Sequence, residues 1–114
     1  MTLEDLKARC ISQGFKYAYG LFKKATEPPH LVAHLTESDN FMADNVVYVK
    51  DYPIQLDYTF ENKDITEQNK IEDNILYDVA WNKTEETYLS DENIWQVSYF
   101  FELDSIQDST EHSI

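Results

Sequence analysis

The chain has 114 residues, room for one domain, and its 42% hydrophobic content with sixteen aromatic side chains (eight Tyr, six Phe, two Trp) argues against disorder. Twenty-two acidic against nine basic side chains leave a net charge of −13, which disfavours nucleic acid as a tightly held partner, because affinity there comes from neutralising phosphates. Cys10 is the single cysteine, so no internal disulfide forms; no apolar run nears the roughly eighteen residues of a membrane span, and MTLEDLK lacks a signal-peptide layout, so the expectation is a cytosolic product without membrane contact.

Residues 2–12 read as a helix. Thr2 can cap it, Glu4 and Asp5 place negative charge in the first turn, and Leu3, Leu6 and Cys10 share a face, with Gly14 as the stop. FKYAYGLFKKA at 15–25 mixes aromatic and basic residues without a period and is read as irregular or briefly extended. TEPP at 26–29 is a turn, since two prolines cannot continue a helix. A strand follows over 30–36, with Leu31, Ala33 and Leu35 on one side and His30, Val32 and His34 on the other. ESDNFMADN at 37–45 is rich in turn-forming Asp and Asn and predicts a hairpin loop with Phe41 and Met42 at its tip.

The next strand runs to Phe60. Tyr48, Tyr52, Ile54, Leu56, Tyr58 and Phe60 share one parity, which predicts one buried face, while Pro53 marks an edge, a bulge or a break because it cannot donate to a ladder. Asp64 and Glu67 form a capping-box pattern for a second helix reaching towards Asn82, its apolar stripe being Ile71, Ile75, Leu76, Val79 and Ala80. A short strand at 84–89, a turn at SDEN 90–93 and a last strand at 94–103 complete the order, the last with Trp95, Val97, Tyr99, Phe101 and Leu103 inward. The prediction is a single α+β domain over 1–103: an N-terminal helix and two β-hairpins joined by an amphipathic helix (αββαββ), a four-stranded, mainly antiparallel sheet with helices on one face, and a polar tail at 104–114.

Chemistry is hard to find in this order. His30 and His34 on a strand would stand about 13 Å apart, too far to share an ion, so no metal site is expected. The pairs Glu85/Glu86 and Asp91/Glu92 read as solvated charge, Cys10 as a buried inert thiol, and two glycines cannot build a phosphate loop. Neither catalysis nor a cofactor is expected. What stands out is aromatic supply beyond the main core: Phe15, Tyr17, Tyr19, Phe22, Phe41, Met42 and Phe100. Either these form a second small cluster under the first helix, or they form a protein-contact surface. The charge is also lopsided, with residues 1–30 at +2 and residues 31–114 at −15.

In order, KYAYGLF, TEPPHLVAHL, SDNFMADNVVYVKDYPIQLDYTFENKD, an amphipathic helix and ETYLSDENIWQVSYFFEL resemble small neck proteins of long-tailed bacteriophages infecting Gram-positive hosts, of the tail-terminator or tail-completion kind. The resemblance covers roughly residues 15–103, and its specificity lies in the order of short motifs; His30 after the prolines and the acidic tail depart from the pattern. It implies a virion structural protein of the head–tail junction, assembled in the host cytoplasm. Such a protein forms a homo-hexameric ring that ends the tail tube, touching the major tail tube protein and the head-completion or connector protein. Genome DNA would pass through without specific binding. On that footing Tyr19, Phe22, Asp39, Phe41, Met42, Asp44, Asn45 and Pro53 are the expected contact residues. The acidic Glu67, Asp73, Asp78, Glu85 and Glu86 are expected to face the channel. The alternatives are another neck ring, a head-closure or adaptor protein, or a monomeric acidic inhibitor that imitates DNA.

Overall fold

The computed structural model describes residues 1–36 and 52–104. Helix α1, Leu3–Ser12, opens on a reciprocal cap: the Asp5 amide donates to Thr2 Oγ1 at 3.1 Å and the Thr2 amide donates to the Asp5 carboxylate at 3.0 Å. Leu6 and Cys10 are its buried residues. The helix ends at Gly14, whose φ of +89° is the left-handed conformation that suits glycine, and the Phe15 amide returns to the Cys10 carbonyl at 3.1 Å. Phe15 is thereby seated in the core, edge-on to Tyr58.

Six strands follow where four were expected. They are β1 Lys16–Tyr19, β2 His30–Leu35, β3 Tyr52–Phe60, β4 Asn82–Lys83, β5 Thr87–Leu89 and β6 Ile94–Leu103. The order across the sheet is β1-β2-β3-β6-β4, with β5 also on β6. All pairings are antiparallel except β1 with β2, which runs parallel with Tyr17 opposite Leu31 and Tyr19 opposite Ala33. The segment read as irregular or briefly extended thus holds a four-residue edge strand. Its four residues are too few for a period, and it is extended because β2 offers it a ladder. The short strand expected at 84–89 is shorter still, β5, and a further two-residue strand, β4, precedes it. Between them Thr84 bends in to meet Ser98, its amide donating to the Ser98 carbonyl at 3.0 Å and its hydroxyl accepting from the Ser98 amide at 3.1 Å.

The alternation read in the sequence holds on the long central strands. Ile54, Leu56, Tyr58 and Phe60 of β3 lie directly against Phe101, Tyr99, Val97 and Trp95 of β6, and all but Trp95 are buried. Trp95 sits at the margin, tilted on Tyr88 with Lys63 Nζ 4.0 Å above its ring. One apolar core gathers this face of the sheet with Leu6, Cys10, Phe15, Ile71, Ile75 and Leu76, so the helical elements share one side. Each such side chain, removed from water, contributes about 1.5–3 kcal/mol.

Pro53 is not on an edge. It lies near the start of β3, which is flanked by β2 and β6. The ladder tolerates it because Thr36, one residue past β2, donates both its amide (2.9 Å) and its hydroxyl (3.3 Å) to the Pro53 carbonyl. Proline's missing donor thus falls where the β2 pairing ends.

The second helix also differs. Asp64 caps it through the Thr66 amide at 3.0 Å, but Glu67 holds Lys70 at 3.0 Å instead of closing a capping box. Helix α2 spans only Ile65–Lys70 and passes into a π-helical turn, Ile71–Ile75, closed by the Leu76 amide on the Ile71 carbonyl at 2.9 Å. The wider turn lets Ile71, Ile75 and Leu76 all reach the core, and Val79 follows in a turn, not a helix. A guanidinium ends it: Arg9 Nη1 donates to the Ile75 carbonyl at 3.0 Å. No helix of the described residues is long and apolar enough to cross a membrane.

Candidate functional site

The sheet has one covered and one open face. Direct cross-strand partners share a face, so the open one carries rows His30–Thr59–Gln96, Val32–Asp57–Ser98 and His34–Gln55–Phe100. At its centre Asp57 gathers side chains from three strands. Ser98 Oγ donates to Asp57 Oδ1 at 2.6 Å, Gln55 Nε2 donates to the same oxygen at 2.8 Å, and His34 Nε2 stands 3.3 Å from Oδ2. Thr59 and Ser98 are buried even though they belong to this face. The Ser98 hydroxyl points at a carboxylate and not at the imidazole. The arrangement lacks the serine-to-histidine contact of an activated nucleophile and works as a clip across β2, β3 and β6.

The two histidines do not act alike. His34 takes the Asp57 contact, whereas His30 is half-buried, edge-on to Phe22 at 5.1 Å between ring centres. Burial lowers the His30 pKa from its ordinary value by disfavouring the charged ring. Its Nδ1 is buried without a partner among the described residues, as is the Tyr17 hydroxyl. Among the described residues no three His, Cys, Asp or Glu side chains gather as a metal set.

The edges of the sheet differ from its faces. Strand β1 forms one end, and no described strand lies beyond it. There Tyr19 is 45% exposed, Leu35 42% and Leu21 76%, and register brings Tyr19 opposite Ala33, so that Leu35, two residues further along β2, is the diagonal neighbour of Tyr19. These are exposed apolar side chains at one end of the sheet, and the exposed Lys23 and Lys24 follow in sequence. Phe22 of the expected contact set is half-buried on His30. Leu21 and Leu35 were missed because a lone leucine gives no signal until its neighbours are placed. Asp39, Phe41, Met42, Asp44 and Asn45 lie outside the described residues, and Pro53 is internal to the sheet.

The five carboxylates expected in a channel are scattered in role. Asp78 receives Arg9 as a two-pronged pair, 2.8 and 3.0 Å, and that hydrogen bond holds its pKa below the ordinary carboxylate value. Glu86 accepts from Gln68 at 2.6 Å and pairs with Lys63 at 3.2 Å, which lowers its pKa in turn. Glu67 pairs with Lys70, while Asp73 and Glu85 are exposed. Glu72, not among the five, holds Lys83 at 2.6 Å and accepts from the Tyr99 hydroxyl at 2.8 Å.

The Asp57 clip and the exposed apolar residues at the β1 end of the sheet are thus the features a partner or ligand could meet. Compared with family models and with curated proteins, the sequence finds no match in either.

Proposed function

We propose that this chain is a structural subunit of the head–tail junction of a long-tailed bacteriophage, building a hexameric ring that ends the tail tube and meets the head connector. The ordered motifs from KYAYGLF to ENIWQVSYFFEL support it, and the observation that carries it in three dimensions is the β1 edge. A strand whose outer side lacks a described partner, beside exposed Tyr19, Leu21 and Leu35, suits contact with another protein. On this reading the chain binds the tail tube protein, the connector protein and its own copies, and carries out no reaction. The acidic excess then keeps passing DNA from adhering. A rival reading as a DNA-mimicking inhibitor is weakened by the carboxylates already paired within the subunit, on Arg9, Lys63, Lys70 and Lys83, since a mimic needs its negative charges free in a phosphate-like row.

Light scattering on the purified chain at low and high concentration tests it. Six copies of 13.4 kDa give a species of about 80 kDa. A monomer at every concentration would remove the preformed ring.

A further inference from the structure

We infer that copies of this chain join head to tail through the two ends of the sheet, the basic β1 edge of one copy docking on the acidic β4–β5 edge of the next. This rests on the ring reading and specifies how its subunits meet.

The two edges are opposite in charge. Strand β1 and the segment after it, residues 16–24, carry three lysines (Lys16, Lys23 and Lys24) and no carboxylate, whereas β4, β5 and the segments beside them, residues 82–92, carry four carboxylates (Glu85, Glu86, Asp91 and Glu92) and one cation, Lys83, which is paired with Glu72. Lys23, Lys24, Glu85, Asp91 and Glu92 are exposed and form no ion pair among the described residues. Both ends also present backbone. The Gly20 amide turns inward to the Ala33 carbonyl at 2.8 Å, so by alternation Tyr17 and Tyr19 turn their amide and carbonyl groups to the outer side, where no described strand lies. At the far end β4 and β5 pair with β6 on one side, and no described strand covers the other. Exposed apolar side chains accompany each edge, Tyr19 and Leu21 on one and Tyr88 on the other.

Charge selects among the possible pairings. Two β1 edges would set lysines against lysines, and two β4–β5 edges carboxylates against carboxylates, which is how natural sheets discourage symmetric edge pairing. Only β1 against β4–β5 brings opposite charges together. That contact joins two different patches, so it is heterologous and closes into a ring when the rotation permits. Added strands are held by main-chain hydrogen bonds and sorted by side chains, and here the sorting is electrostatic.

The test is a charge swap on the full chain, read as molar mass by light scattering at about 0.15 M ionic strength, where charges farther apart than about 8 Å are screened. One variant combines Lys23→Glu with Lys24→Glu, the other Asp91→Lys with Glu92→Lys. Thermal melts followed by circular dichroism check that each is folded. Each variant alone is expected to fall to 13.4 kDa. An equal mixture of the two regains the wild-type mass, because swapped edges meet each other and untouched edges meet each other. A single chain with all four substitutions regains it as well. Variants that assemble like wild type overturn the edge pairing and leave the ring reading standing, and a loss that mixing does not restore overturns the complementarity of the edges. A wild-type chain that stays monomeric removes the preformed ring and overturns the edge pairing with it.

Discussion

Asp57 sits near the middle of β3 on the open face, its side chain only 19% exposed, with donors arriving from Ser98, Gln55 and His34. A carboxylate so placed is stable only while its acceptor capacity is used. Asp57→Ala is expected to leave the Ser98 hydroxyl and Gln55 amide short of a partner and to cost about 1–3 kcal/mol, with Asp57→Asn costing less because it keeps one acceptor. Urea midpoints at unchanged slope measure the difference, and a neutral alanine variant would mean the clip holds nothing together. Cys10 is a second single-residue case. It is fully buried, and burial pushes its thiol from 9.0 up to about 12. A thiol reagent is therefore expected to react only as fast as the protein opens. The stability this thiol contributes is whole below pH 9, where the unfolded thiol is also protonated, and is lost as pH rises towards 12. Rapid labelling at neutral pH would show instead that α1 lifts locally.

Elements differ in how far they could be read in advance, and the difference follows the reach of the contacts that define them. The start of α1 was legible because its cap is written within three residues, Thr2 to Asp5. Thr2→Ala is expected to cost about 1 kcal/mol of unfolding free energy in a denaturant titration. The inward faces of β3 and β6 were legible because each alternates over nine or ten residues. Strand β1 was not, since KYAY carries no period and its partner begins eleven residues beyond its own end. The second helix was read too long for a comparable reason. Its last carbonyl, that of Ile75, is taken by Arg9, 66 residues away in sequence, and no local residue signals that contact. The surface follows the same logic. Tyr19, named as a contact residue, is 45% exposed, and Pro53, read as an edge, a bulge or a break, lies inside the sheet where the β2 pairing ends, because proline's cost depends on which neighbour strand has already ended. The partners of Asp78 and Glu86 lie on other elements, so sequence order alone made those carboxylates look free.

For the molecule as a whole, a net charge of −13 and a handful of paired carboxylates set opposing dependences on acid. Lowering the pH from neutral first discharges unpaired carboxylates and relieves self-repulsion, which favours the folded state. Asp78 is held below its ordinary value first by its hydrogen bond to Arg9, Glu86 by Gln68 and then Lys63, and Asp5 by the Thr2 amide. A depressed folded pKa contributes stability that is present above the unfolded value, about 4, and is lost as pH falls through the folded one. The melting temperature is thus expected to hold or rise towards mildly acidic pH and to fall below about pH 4. Arg9→Met isolates one share of that fall. It removes the partner that holds Asp78 down and leaves the Ile75 carbonyl without its guanidinium donor, so the variant is less stable at neutral pH, and its loss between pH 4 and pH 2.5 is shallower than that of the wild-type chain. Melts across that range, run dilute because the isoelectric point near 4.3 favours association, make the comparison. Parallel curves for the two proteins would mean that the Arg9–Asp78 pair, although two-pronged, is fully screened by solvent and that the acid limb belongs to other carboxylates, Asp5 and Glu86 among them.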